Sequence, residues 1–354
     1  MRLRRALTTA GAAVIAAAGT LAVQAPGVQA SAPAPRPVYA PGQEAADPGI
    51  VRDGNDYYAF MTGGLARVAH ANTPQGPWVR MPDALARWGE WASGQGAVWA
   101  PDAVHTPAGW VLYYAAQAKG FKGQRCIGTA VADRPAGPYQ PAAKPLICPI
   151  LDGEDPAADR PDQTAGVIDP SPFQTDDGKR YLLYKTQKTP GTLRMFPLSD
   201  DGLHGRAEIS HELVRHADSI ENPVMVQRGE YYVLFAAANW YDQCKYSTVW
   251  RRSTDLWSFA DKEEHVLLDK GNSGLCGPGG ADVVATGSGP SRIFLHGWVC
   301  SADNDPCRFD GLVQDPNRTR VVYAATLTWG ADNATPFVPA FLPPVSWPPD
   351  TAPR

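Results

Sequence analysis

The apolar positions of this chain fall in short runs rather than in helical stripes. No stretch keeps a 3.6-residue apolar period over ten residues, so no long amphipathic helix is predicted. Aromatic and aliphatic runs recur instead: YYAFMT at 57–62, WVLYYAA at 110–116, RYLLYKT at 180–186, YYVLFAAA at 231–238 and RIFLHGW at 292–298. Runs of this length and composition, bounded by turn residues, read as buried strands.

The same grammar precedes each run. A carboxylate or small residue sits beside Pro or Gly, then come an apolar stub and a turn. The openings are Asp47-Pro48-Gly49-Ile50, Pro101-Asp102-Ala103-Val104, Asp169-Pro170-Ser171-Pro172-Phe173, Glu221-Asn222-Pro223-Val224-Met225 and Gly280-Ala281-Asp282-Val283-Val284. Arg52-Asp53-Gly54-Asn55, Thr106-Pro107-Ala108-Gly109, Asp176-Asp177-Gly178 and Gln227-Arg228-Gly229 supply hairpin turns between the first two strands of successive units. A third strand follows at 67–72, 126–133, 192–199, 247–253 and 320–329, and Gly76-Pro77-Trp78 and Gly137-Pro138-Tyr139 mark a short outer strand in two units. Five antiparallel sheets of about four strands predict an all-β, five-bladed β-propeller. A two-sheet sandwich would require three domains with linkers, and no linker interrupts residues 42–342.

Outside the repeat, residues 1–30 carry Arg2, Arg4 and Arg5, an Ala-rich apolar run from Ala10 to Val23, and a small-x-small ending at Val28-Gln29-Ala30. This predicts a secretory signal peptide cleaved after Ala30, hence a secreted protein. The run falls short of the roughly 20 residues a membrane anchor needs, and no later segment approaches it. Residues 31–41 are a Pro-rich lead-in expected to be mobile, and 343–354 a Pro-rich tail.

Composition supports the β assignment. Gly and Pro number 34 each, 68 of 354 residues, which demands many tight turns. The 32 basic against 36 acidic residues give a net charge of −4, with no basic stripe for nucleic acid. The 11 Trp, 13 Tyr and 10 Phe suit strands and a stacking surface. In an oxidising compartment the six cysteines imply disulfides. Fifteen pairings are possible, and the nearest-in-sequence set is expected: Cys126–Cys148, Cys244–Cys276 and Cys300–Cys307. A zinc site is disfavoured because no C-x-x-C spacing occurs.

A propeller brings the openings of its blades to one axis. Asp47, Asp169 and Glu221 should therefore surround a common pocket, with Asp102 and Asp282 in related places. Like charges so placed raise at least one pKa. Paired carboxylates are the equipment of glycoside hydrolysis, while no G-x-S-x-G or H-E-x-x-H string supports other hydrolytic chemistry.

At these residues the chain resembles glycoside hydrolase family 43. The resemblance rests on Asp47-Pro48-Gly49-Ile50, Trp99-Ala100-Pro101-Asp102, Asp169-Pro170-Ser171-Pro172-Phe173, Glu221-Asn222-Pro223, Leu295-His296-Gly297-Trp298 and the strand from Arg320 to Trp329, spanning about residues 46–330. It implies an inverting enzyme acting on arabinose- or xylose-containing glycans. By motif, Asp47 would be the general base and Glu221 the general acid. Asp169 would raise the acid's pKa and hold it in place. α-L-Arabinofuranosidic linkages in plant cell walls are the expected substrate, with β-xylosidase activity or non-catalytic glycan binding as alternatives.

Many members carry Gly-Pro-Gly-His in the fifth blade, where the His serves an axial calcium or water cluster. This chain reads Gly277-Pro278-Gly279-Gly280, so no cofactor is expected to be required and a structural Ca²⁺ is doubtful. Substrate binding is expected from Trp99, Asn222, Trp240 and His296. Trp99 and His296 have equally weighted structural alternatives. Tyr241 is expected to shape outer subsites, and Trp88 and Trp91 to wall the pocket. The protein is expected to act as a monomer on oligo- or polysaccharide, without membrane or nucleic-acid partners.

Overall fold

A computed structural model describes residues 34–151, 165–206, 210–285, 290–308 and 311–345. The expected signal peptide and residues 346–354 of the tail lie outside them.

Among the described residues, twenty strands form five four-stranded antiparallel sheets, each built in chain order or its reverse. Blade 1 holds β1 (Gly49–Asp53), β2 (Asp56–Met61), β3 (Arg67–Ala71) and β4 (Val79–Met81). Blade 2 holds β5 (Trp99–Thr106), β6 (Gly109–Gln117), β7 (Arg125–Ala132) and β8 (Gln140–Pro141). Blade 3 holds β9 (Val167–Gln174), β10 (Arg180–Thr186), β11 (Gly191–Leu198) and β12 (His211–His216). Blade 4 holds β13 (Ile220–Arg228), β14 (Tyr231–Ala238), β15 (Ser247–Ser253) and β16 (His265–Leu268). Blade 5 follows a one-turn helix, α1 (Lys270–Ser273), and holds β17 (Cys276–Val284), β18 (Ser291–Val299), β19 (Thr319–Trp329) and β20 (Pro336–Phe341). The sheets are arranged as the expected five-bladed β-propeller.

The strand period explains why the second strands read as unbroken apolar runs. Side chains alternate between the two faces of a strand, and each blade is packed on both faces. In β10, Leu182 and Tyr184 join the core shared with blade 2, whereas Tyr181 and Leu183 join the core shared with blade 4. In β14, Leu234 and Ala236 face blade 3 while Val233 and Phe235 face blade 5. Five apolar clusters fill the five blade interfaces. An edge strand has less to bury: β20 carries Pro336 and Pro339 and leaves Phe337 exposed.

The lead-in is not loose throughout. Val38 and Tyr39 are buried, and both N–H groups donate to Val322 O of β19. They enter the core between blades 5 and 1, so this segment straps the first blade to the last. The three disulfides are the expected pairs. Cys244–Cys276 ties the loop after β14 to the first residue of β17, joining blades 4 and 5.

Candidate active site

One backbone feature recurs in all five blades and places the acids. Asp47, Ala100, Asp169, Asn222 and Gly280 each adopt a left-handed conformation, with φ of 52, 40, 57, 48 and 57°. Pro follows in four of the five, and Ala281 in the fifth. Non-glycine residues seldom occupy this region, so its repetition marks a required bend in the inner strand. Pro lacks the N–H that a ladder would need, which suits it to such an irregularity. Bulges accompany the bend in blades 2 to 5.

This register refines the expected equivalence. Asp47 and Asp169 occupy the same step of their blades. Glu221 lies one residue earlier, in the step held by Trp99 in blade 2 and Ile168 in blade 3. Asp102 and Asp282 lie two residues later, with Gly49, Ser171 and Val224. Those later residues, together with Asp47, Asp169 and Asn222, line an axial chamber of about 30 Å³, room for one or two waters. Burial raises the pKa of both acids there, with the charge of Asp282 adding to the effect on Asp102, and Asp282 reaches about 6.

Above the chamber opens a cavity of about 840 Å³, lined by Asp47, Asp169 and Glu221 together. Asp47 is held from two blades. Thr62 Oγ1 donates to its Oδ2 at 2.6 Å and accepts from Ala100 N–H at 2.9 Å. The Asp47 N–H donates to His296 Nδ1 at 3.1 Å, and Arg320 Nη1 lies 3.6 Å from Oδ1. Arg320 Nε also donates to Glu44 at 2.8 Å. Burial opposes the Arg320 charge, but Asp47 and Glu44 outweigh it and raise its pKa.

Asp169 is 7% exposed, and its Oδ2 accepts the Asn222 N–H at 3.0 Å. Its pKa is pushed up to about 8, by burial first and then by Glu221 and Asp47, against the opposing Lys185 and Asn222 N–H. The carboxyl raised here is Asp169, whereas the resemblance led to the expectation that Asp169 would raise the pKa of Glu221. Glu221 accepts at both oxygens: Lys185 Nζ lies 2.6 Å from Oε2, and Tyr246 OH donates to Oε1 at 2.8 Å. Burial, reinforced by the three carboxylates, holds the Tyr246 phenol well above its ordinary pKa, so it remains a donor.

The expected binding residues divide. Trp99 is 37% exposed and lines the cavity, with the Arg125 guanidinium 3.5 Å from its ring centroid. One indole face is thus backed by a cation. Trp240 and Tyr241 are exposed at the cavity wall. Asn222 also lines it, its Oδ1 lying 3.0 Å from Tyr246 OH.

His296 is a correction. It is fully buried and does not line the cavity; it supports the Asp47 backbone from below. Burial first, then Arg320, drives its pKa well below the usual value, so the ring is neutral and Nδ1 can accept. Trp88 and Trp91 also sit elsewhere. Trp91 is in the core between blades 1 and 2, stacked on Tyr114, and Trp88 packs against that core.

Sequence reading missed Thr62, Lys185, Tyr246, Arg320 and Glu44. The one signal for Lys185 was a cation directly after the apolar run Tyr181–Tyr184 inside β10, a position seldom charged unless paired. A calcium site finds little support in the residues. Position 280 is Gly, and a Cβ there would meet His296 Nδ1 at 2.5 Å. Among the described residues no three His, Cys, Asp or Glu gather in a metal-holding group.

A β-propeller with three acids at one mouth defines a class of carbohydrate-active proteins, and sequence comparison places the chain within it. Residues 35–335 match the profile of Glycosyl hydrolases family 43. The chain belongs to that family, whose members hydrolyse O-glycosyl bonds. It is 26% identical over 292 residues to an extracellular exo-alpha-(1->5)-L-arabinofuranosidase, ArbA, of Cellvibrio japonicus, covering 73% of this chain and 80% of that protein. It is 29% identical over 150 residues to a probable arabinan endo-1,5-alpha-L-arabinosidase B of Aspergillus fumigatus, where the match covers 42% of this chain and only 39% of the relative. Among solved structures, a thermostable family-43 glycoside hydrolase superposes with a TM-score of 0.66 at 18% identity, covering 86% of this chain and 95% of that one. The Cellvibrio cellulosa alpha-L-arabinanase complexed with arabinohexaose gives 0.63 at 20% identity, covering 83% and 95%. These two likenesses speak for the fold.

Proposed function

We propose that this protein is a secreted, inverting glycosidase that cleaves α-L-arabinofuranosidic linkages in plant-cell-wall glycans. The observation that carries this reading is the convergence of Asp47, Asp169 and Glu221 on one cavity, each with different partners. The names of its relatives point to arabinose-containing substrates.

Asp47 acts as general base. The Thr62 hydroxyl holds its carboxylate, the Asp47 N–H contact with His296 fixes its backbone, and Arg320 Nη1 lies 3.6 Å from Oδ1. It takes a proton from a water attacking the anomeric carbon. Glu221 acts as general acid and protonates the departing glycosidic oxygen from the opposite face. Inversion requires room for that water between base and acid. Asp169, beside Glu221 and within its field, keeps a proton in the cluster. The Trp99 ring offers an apolar face to a sugar, and Trp240 with Tyr241 extends the wall for further residues of the glycan. Three disulfides and an extracellular relative support export.

Glu221→Ala tests the assignment with two substrates. On arabino-oligosaccharides, whose leaving oxygen needs a proton, kcat should fall by about 10²–10⁴. On an aryl arabinofuranoside with a leaving group of low pKa, much of the rate should survive. Wild-type turnover of oligosaccharide by the variant would remove Glu221 from the role.

A further inference from the structure

Lys185 stands where the reaction's acid would be expected to find a proton. It ends the apolar run of β10 and points its ammonium into the cavity, its side chain 10% exposed. A register shift positions it. Leu183 pairs with Ser171 and Lys185 with Ile168, so Asp169 and Pro170 bulge opposite Tyr184. The irregularity that turns Asp169 toward the axis therefore also sets Lys185 beside it.

The ammonium is 2.6 Å from Glu221 Oε2 and 3.3 Å from Ser219 Oγ. With Tyr246 OH on Oε1, both oxygens of Glu221 are engaged as acceptors. A group acting as general acid must carry a hydrogen on one of them. Of the two neighbouring acids, Asp169 is the more buried, and the described hydrogen bonds engage its Oδ2 through the Asn222 N–H.

We propose that Lys185 is the positioning residue for the catalytic proton: clamped on Glu221 in the free protein, it leaves that proton on Asp169, and it moves to Asp169 as the proton passes to Glu221. This rests on the glycosidase reading above and specifies how its acid is charged. The balance is closed. Before transfer the cluster holds protonated Asp169, the Glu221 carboxylate and the Lys185 ammonium. Afterwards it holds the Asp169 carboxylate, protonated Glu221 and the same ammonium. Glu221 then gives the proton to the leaving oxygen as the glycosidic bond breaks, and Asp47 receives one from the attacking water.

Every charged neighbour fits. Asp47 comes from blade 1, Glu221 and Tyr246 from blade 4, and Arg320 and His296 from blade 5. Arg320 is occupied by Glu44 and Asp47, and His296 is neutral. Lys185 is thus the cation left for the Asp169–Glu221 pair among the described residues. Burial works against its charge, but Glu221, Asp169 and Asp47 more than offset this and raise its pKa. The pair's titration belongs to both carboxyls jointly.

The test compares wild type with Lys185→Met and Lys185→Arg. Removing an opposite charge at this range strengthens proton binding, so the basic limb of kcat/KM should rise by about 1–3 pH units in Lys185→Met. Lys185→Arg, which keeps the charge, should stay near the wild-type limb. Difference infrared spectra of the free proteins supply a readout that needs no turnover. Wild type should show a protonated-carboxyl band near neutral pH that Asp169→Asn abolishes and that persists to higher pH in Lys185→Met. A folded Lys185→Met with the wild-type limb overturns the proposal. So does a wild-type spectrum lacking a band that Asp169→Asn removes. If Lys185→Met does not fold, Lys185→Gln makes the same comparison. A wild type inactive on every arabinoside and xyloside would refute the glycosidase reading, and the infrared comparison would still decide the role of Lys185.

Discussion

Asp169 links the chemistry of the site to the stability of the fold. Burial pushes its pKa up to about 8 in the folded protein, above the ordinary carboxylate value of 3.8. The folded state therefore binds its proton more tightly than the unfolded chain. That contribution is fully present below about pH 4 and is lost as pH rises through about 8. Asp169→Asn removes the titration. On going from pH 5 to pH 9, the melting temperature of wild type should fall relative to that of Asp169→Asn, with other groups cancelling in the difference. A constant gap between the two proteins across this range would contradict the assigned burial. At this scale, the acids were legible because Asp47 and Asp169 sit before Pro at the same step of a repeat. Their partners were not. Thr62, Lys185, Tyr246 and Arg320 lie on second and third strands or the loops before them, and only strand register brings them to the pocket. His296 shows the converse: its motif was visible, but full burial decides that it supports the base rather than touching a sugar.

The inner strand is the element that turns repetition into a site. Its left-handed step occurs in every blade, but the residue there differs, and that difference divides the work. Blade 5 uses Gly280, where a Cβ would approach His296 Nδ1 at 2.5 Å and Asp47 Oδ1 at 3.1 Å. His296 is enclosed, with Tyr246 stacked on it at 5.7 Å between centroids, and has little room to yield. Gly280→Ala should therefore cost about 2–4 kcal/mol, combining left-handed strain with overpacking, and should lower kcat by displacing Asp47. Gly54→Ala is the control, since it shares a positive φ of 59° but meets nothing within 4 Å. Denaturant titration of both variants separates strain from collision; equal losses would contradict the packing described for His296. The second and third strands were readable because both faces are apolar. The outer strands of blades 3 to 5 were not, because β12, β16 and β20 are short edge strands with at most two buried residues each and carry a weak apolar signal.

For the whole molecule, five blade interfaces bury the core, and the strap at Val38 and Tyr39 joins its two ends. The repeat count made this architecture visible in the sequence. The strap was not, since a Pro-rich segment gives no period and its partner Val322 lies far along the chain. The disulfide between Cys244 and Cys276 fixes the loop bearing Trp240 and Tyr241 against blade 5, so the open wall of the cavity stands on two blades. This frame lets acids from blades 1, 3 and 4 face one cavity. On the proposed function, they act together by direct displacement. The most direct measurement is anomer-resolved NMR of the first sugar released from an aryl α-L-arabinofuranoside, recorded before mutarotation. β-L-Arabinofuranose as the initial product is the predicted result; α-L-arabinofuranose appearing first would contradict the account.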